Sequence, residues 1–317
     1  MSTFSTPILF LIFNRPEVTA KVFEEIRKIK PHYLFIAADG PRVNHIEDIE
    51  LCNKCREIIE KVDWDCELKV LFRNKNLGCG IAPYEAVSWF FENVEQGIIL
   101  EDDVFPDISF WEFCETMLNY HKDNEHIMHI SGCYFLESII GPDPKQSYYF
   151  TKHIHVWGWA TWKRAWKCYD YNMKDWPSTK AKELINYYGD YSIFWKNIYH
   201  NIFHKKIITW DYQWMFAIYK NNGIAINPTS NLTQNLGFGI NATHTTDASS
   251  IFTTVKLSSI SFYNHPKTIE VNTKNDALYY SHFLDFDLQL EEAKRKTLWK
   301  LKNLLKKFKT KFQLYLE

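Results

Sequence analysis

Short, wholly apolar runs alternate with amphipathic stretches through the first hundred residues. That alternation constrains the fold more than any other feature of this 317-residue chain. Residues 8–13 read as a buried strand ending at Asn14-Arg15-Pro16. Residues 17–30 read as a helix with Pro16 at its start, where the missing N–H costs nothing. A second strand, 33–38, is closed by Asp39-Gly40-Pro41, and 46–62 is helical. A third strand, 67–72, runs into Arg73-Asn74, a helix follows over 84–95, and a fourth strand covers 97–100. Strands apolar on both faces with helices between them predict a mainly parallel sheet flanked by helices, a Rossmann-like α/β fold. Such sheets bind ligands at the carboxyl ends of their strands. Asn14, Arg15, Asp39, Arg73, Asn74 and Glu101-Asp102-Asp103 are therefore expected on one rim.

The middle of the chain is less regular. A helix is predicted over 109–121, a strand over 127–131, helices near 180–188 and 191–205, a helix opening at Trp210-Asp211, and a short strand at 224–227. The segment 246–285 shows no clear period. Between them lies an aromatic segment with Trp157, Gly158, Trp159, Trp162 and Trp166. Trp162 and Trp166 are one helical turn apart and read as core, whereas Trp159 beside Gly158 reads as a surface on which a sugar stacks. His153 and His155 would point the same way from a strand, but no third ligand stands near enough in sequence to suggest zinc. Residues 291–317 read as an amphipathic helix: Leu298, Leu301, Leu305, Phe308 and Phe312 share a face, and nine Lys or Arg with no acid lie between Lys294 and Lys311. A stripe of that kind suits an anionic membrane surface, or a docked helix.

The formal net charge of −1 argues against nucleic acid as a partner, since neutralising phosphates needs a clear cationic excess. Hydrophobic residues make up 46% of the chain, enough for a large core, and the 17% aromatic share leans toward carbohydrate, whose C–H faces stack on rings. Seven scattered cysteines suggest no disulfide framework, and Cys52-x-x-Cys55 has no second pair to make a zinc site. The apolar run near the start is too short to span a bilayer and no basic stretch precedes it, so a cytoplasmic protein is expected.

The acidic triplet carries the chemistry. Three carboxylates after a buried strand are costly unless something positive offsets them. A hard cation, Mn²⁺ or Mg²⁺, held by one or two carboxylates and diphosphate oxygens is the usual solution. The bland alternative is an acidic turn with Asp107 capping the following helix. Asp211 is the candidate general base by the resemblance set out next, in which an acid of a Trp-Asp segment takes the acceptor proton during displacement at an anomeric carbon. A helix cap is the competing reading of that residue.

Residues 97–110 (GIILEDDVFPDISF), with Trp157-Gly158-Trp159 and Trp210-Asp211 downstream and Phe13-Asn14-Arg15 upstream, resemble GT-A-fold glycosyltransferases. The likeness is to the N-acetylglucosaminyltransferase I type and to bacterial family-two transferases, and it covers about residues 5–250. It implies that Asp103 ligates the metal, Asp102 contacts the ribose, and Glu101 contacts the uridine or sugar. It further implies that Asp39 holds the base and that Asn14 and Arg15 lie beside the nucleotide, with Arg73 among the donor contacts. Trp157, Gly158 and Trp159 would line the acceptor site. His244 would be a further metal or phosphate ligand, or a solvated loop residue. UDP is the base the resemblance implies.

The resulting expectation is a catalytic domain over 1–265, with a nucleotide-sugar half (1–135) and an acceptor half (136–265), a connecting segment 266–290 and the basic helix 291–317. Its reaction would be metal-dependent, inverting transfer from a nucleotide-diphosphate sugar to a saccharide or lipid-linked acceptor, as in surface polysaccharide synthesis. A sugar nucleotidyltransferase shares the layout, but usually has a glycine-rich loop after the first strand. A non-catalytic carbohydrate- or membrane-binding protein leaves the clustered acids unexplained.

Overall fold

The computed structural model describes residues 4–237 and 255–283. Its first part is the expected alternation: β1 (Ile8–Ile12), α1 (Pro16–Ile29), β2 (Tyr33–Ala38), α2 (Ile46–Arg56), β3 (Glu67–Phe72), α3 (Gly78–Asn93) and β4 (Gln96–Glu101). Then come β5 (Val104–Pro106), α4 (Ile108–Tyr120), β6 (Ile127–Ser131), a single turn α5 (Glu137–Ile140), β7 (Tyr148–Thr151), β8 (Trp159–Trp162) and a second single turn α6 (Lys163–Trp166). The described chain finishes with α7 (Ala181–Tyr188), α8 (Ser192–Phe203), α9 (Asp211–Lys220), β9 (Ile224–Pro228), β10 (Thr233–Asn235) and α10 (Thr273–Phe283).

Eight strands form one mixed sheet in the order β3-β2-β1-β4-β8-β6-β9-β7, while β5 and β10 make a small antiparallel pair. The first four strands are mutually parallel, and β6 is parallel to β9. Only β8 and β7 run against their neighbours. The sheet is therefore mainly parallel and flanked by helices, the mixed α/β class predicted from the sequence. It continues without a break across the proposed nucleotide-sugar and acceptor halves.

Alternate side chains of β1 explain why its whole run is apolar. Leu9 and Leu11 face a core with α3, α8 and α9, whereas Ile8, Phe10 and Ile12 face one with α1 and α4. A strand buried on both faces cannot alternate in polarity. The small antiparallel pair matters for the site, because it ties the chain after β4 to the chain after β10. Leu236 donates its backbone N–H to the Asp103 carbonyl at 2.7 Å.

Two segments differ from the sequence reading. Trp162 ends strand β8 and Trp166 ends the following turn, so they are not successive residues on one helix; the strand puts them in opposite cores. The segment without a clear period contains α10, whose Asp276 accepts hydrogen bonds from the Thr151 hydroxyl and the Lys152 N–H beside β7. Residues 291–317 and His244 lie outside the described residues.

Candidate active site

The strand register builds the rim. Leu11 of β1 lies opposite Glu101 of β4, Ile12 opposite Ala38 of β2, and Ala38 opposite Phe72 of β3. The residues following each strand, 13–15, 39–40, 73–76 and 101–103, consequently leave the sheet on the same edge. Four of the candidate groups meet there in direct contact or through their charges.

Arg15 is the organising cation. Its guanidinium bonds Asp102 through Nη2 and, more loosely, through Nε at 3.4 Å, and it reaches Asp103 Oδ2 through Nη1 at 2.7 Å. Burial works against the charged guanidinium, but the two carboxylates outweigh it and hold Arg15 above its ordinary value. Asp102 is almost fully enclosed beside the start of α1, where the Phe13 N–H and the Thr19 hydroxyl also approach its Oδ2 at 3.4 Å. Helix N-termini favour such an anion. Burial nevertheless pushes its carboxyl up, with Arg15 pulling the other way.

Asp103 is held differently. Oδ2 rests on Arg15, while Oδ1 is buried with no hydrogen-bond partner among the described residues. A buried carboxylate oxygen without a donor is costly. Gly237 packs so closely over this carboxylate that a Cβ there would run into Asp103 Oδ2 and approach Arg15 Nη1 at 2.9 Å. Glu101, beside it, is partly buried and its carboxyl is pushed up to about 8, first by burial and then by Asp103. Arg15 pulls it down, while Asp102 and Asp211 add to the rise.

Asp211 opens α9 and lies close enough for its charge to be felt at Glu101. It is not the cap of that helix: Trp210 takes the cap position and no side chain caps it. Asp211 Oδ1 accepts from the Thr209 hydroxyl and from the Tyr212 N–H at 2.9 Å, while Oδ2 accepts nothing among the described residues. Its placement depends on the Trp-Gly-Trp segment. Trp159 lies opposite Ile99 of β4, Trp210 stacks on it at 5.5 Å between centroids, and the Tyr169 hydroxyl bonds the Trp210 carbonyl. Trp159 is 0% exposed, so the sequence expectation of a sugar-stacking surface is corrected: this indole supports the wall that carries Asp211. Gly158 has φ +71°, where a Cβ would be strained and would meet Thr233 Cγ2 at 2.7 Å, so glycine is required there for packing. Trp157 is half-buried and edges onto Phe135.

The other candidates have structural partners. All four acceptor positions of Asp39 are filled, by the N–H groups of Gly40, Leu77 and Gly78 and by Asn76 Nδ2. That carboxylate organises the loop entering α3 and has no acceptor position left for a base. Asn14 donates to Asp48 at 2.8 Å, and Arg73 reaches Glu85 at 3.3 Å. Asp107 does cap α4, accepting from the Ser109 N–H at 2.9 Å, which leaves the triplet free of that duty.

Sequence reasoning passed over Asp48 and Arg42. Asp48 is fully buried in α2, and its carboxyl is held below the usual range, chiefly by hydrogen bonds from the Arg42 side chain, which outweigh its burial. Arg42 also lies over the Phe13 ring at 5.6 Å. The available signal was an acid on the inner face of an otherwise polar helix. His153 and His155 do pack together at 4.9 Å, but deep among aromatic rings. All seven cysteines are free.

A divalent cation fits what is present. Asp103 offers an unpartnered buried oxygen, Glu101 stands next to it, and carboxylate oxygens suit Mg²⁺ or Mn²⁺. Among the described residues no three side chains are already gathered as a ligand set. A cation bound by one or two carboxylates, with the rest supplied by phosphate and water, does not need one.

No sequence-family model and no curated relative matches the chain. Among solved structures it is similar to HddC from Yersinia pseudotuberculosis, at 10% identity over 50% of this chain and 77% of that one, with a TM-score of 0.30. It is also similar to the inositol-1-phosphate CTP transferase from T. maritima (11% identity, 81% and 98% covered, TM-score 0.38). Mouse xyloside xylosyltransferase 1 is a third (11%, 68% and 81%, TM-score 0.32). Likenesses this distant carry no chemistry, and the fold class rests on the sheet itself.

Proposed function

We propose that the chain is a glycosyltransferase that moves a sugar from a nucleotide-diphosphate donor, with UDP as the expected nucleotide, to a saccharide or lipid-linked acceptor. The observation that carries this reading is the gathering of Glu101, Asp102 and Asp103 beside the Arg15 guanidinium at the carboxyl edge of the parallel strands, with Asp211 close enough for its charge to reach Glu101. A Mn²⁺ or Mg²⁺ ion on Asp103 would offset charge on the leaving diphosphate. Asp211, with one oxygen fixed by Thr209 and the other unengaged, would take the acceptor's proton, which fits inverting transfer. Arg15 would meet the donor's phosphates, and Trp157 would border the acceptor. Residues 291–317 would bring the enzyme to an anionic cytoplasmic membrane surface, where lipid-linked acceptors lie.

The test is a panel of nucleotide sugars incubated with the protein and Mn²⁺, followed by release of nucleoside diphosphate. Release from one of them, absent in D103A, supports the proposal. If the protein instead joins a nucleoside triphosphate to a sugar 1-phosphate with release of diphosphate, it is a nucleotidyltransferase and the proposal fails.

A further inference from the structure

We infer that Arg15 is the resident counter-ion of the acidic pair and gives up Asp103 when a divalent cation and a diphosphate enter together. The inference rests on the metal-dependent reading above and adds a role for one residue. Two enclosed carboxylates side by side need a nearby positive charge, and among the described residues Arg15 is the cation that bonds them.

Its hold on the two is unequal. Asp102 is gripped through Nη2 and Nε and is also approached by the Phe13 N–H and the Thr19 hydroxyl. Asp103 is gripped through Nη1 alone, at 2.7 Å, and its other oxygen is buried with no partner among the described residues. That oxygen is an acceptor held ready for a charge that no described residue supplies. A divalent cation placed on Asp103 would stand beside Nη1, and the two positive charges would repel in a poorly solvated site.

Arg15 can yield without leaving the rim. Its fork stays on Asp102 as a pivot, and Nη1 turns from Asp103 toward the newly arrived diphosphate, which offers charge-assisted bonds of its own. Loading of the cation and of the diphosphate are thereby coupled: each makes room or charge for the other. Mn²⁺ alone must displace Arg15 with nothing to receive it, so it binds weakly.

The experiment measures Mn²⁺ binding by electron paramagnetic resonance, with and without UDP, in the wild type, R15Q and R15K. In the wild type, UDP is expected to tighten Mn²⁺ binding about tenfold or more. R15Q should bind Mn²⁺ alone about tenfold more tightly than the wild type and lose most of the UDP effect. R15K keeps the charge without the fork and should fall between. Removing Arg15 also leaves two buried charges unpaired, so R15Q should melt lower and regain stability on adding Mn²⁺, whereas a merely structural arginine would give a loss that Mn²⁺ does not repair. If the wild type binds Mn²⁺ equally well with and without UDP, or if R15Q binds it no better, the exchange is wrong while the metal site stands. If no protein binds Mn²⁺ under any condition, both the exchange and the metal-dependent reading fall.

Discussion

Asp211, the proposed general base, is held with little side-chain freedom. Thr209 and the Tyr212 N–H fix one oxygen and leave the other without a hydrogen bond among the described residues. D211N keeps the size of the group and removes its basicity. Its kcat is expected to fall about 10²–10⁴-fold with the donor KM little changed, as read from steady-state rates. A D211N enzyme of full kcat would mean that another group takes the proton. Trp159 makes the opposite point, since its effect is on stability. W159A should cost about 3–5 kcal/mol by denaturant unfolding, the penalty for emptying a fully packed aromatic site. A stable W159A with weakened acceptor binding would restore the sugar-stacking view. The types of these residues were legible in the sequence; their burial was not. A tryptophan beside a glycine looks the same whether it lines a cleft or braces a wall, and only the pairing of β8 with β4 decides. Asp39 was misleading for a similar reason: apart from the Gly40 N–H, its donors come from residues 76–78, which the sequence places in a different turn.

At the scale of elements, the first four strands and their helices were readable because each buries both faces or one continuous stripe. The order of the remaining strands was not, because β8 inserts between β4 and β6 out of chain order and brings antiparallel pairing with it. Helix α10 escaped notice since its inward face is built from tyrosines and Asp276, not aliphatic residues. Burial pushes the Asp276 carboxyl up to about 6, against the hydrogen bonds from Thr151 and the Lys152 N–H. The protonated form is therefore favoured in the folded state. Its contribution to stability is complete below the unfolded value of about 4 and is lost as pH rises through about 6. Relative to D276N, the wild type should lose melting temperature between pH 4 and pH 7. Parallel curves for the two proteins would show that Asp276 is ionised throughout.

For the molecule as a whole, the largest pH effect should come from histidines. Burial depresses His121 to about 4 and His129 and His153 to about 3, and it holds His155 well below the ordinary value. His129 is locked in one tautomer, accepting from the Trp214 indole at 3.1 Å and donating to the His155 carbonyl at 3.0 Å. These side chains stay neutral in the fold while the unfolded chain takes up protons below about pH 6.5. Their stabilising contribution is full above that value and shrinks as pH falls toward 4, so the melting temperature should drop steeply over this range. A flat profile would mean that the cluster opens to solvent. The α/β class, the common rim and the acidic triplet were all legible from apolar periodicity. The closure of that rim by Arg15 was not, because a residue before a helix-starting proline carries no sign of which carboxylate it will meet.

The central claim is that the Asp103 rim binds a nucleotide sugar through a divalent cation, and titration calorimetry tests it most directly. UDP should bind the wild-type protein in the presence of Mn²⁺, bind weakly or not at all in EDTA, and fail to bind D103A under either condition. Equal binding with Mn²⁺ and with EDTA, or unchanged Mn²⁺-supported binding to D103A, would contradict it.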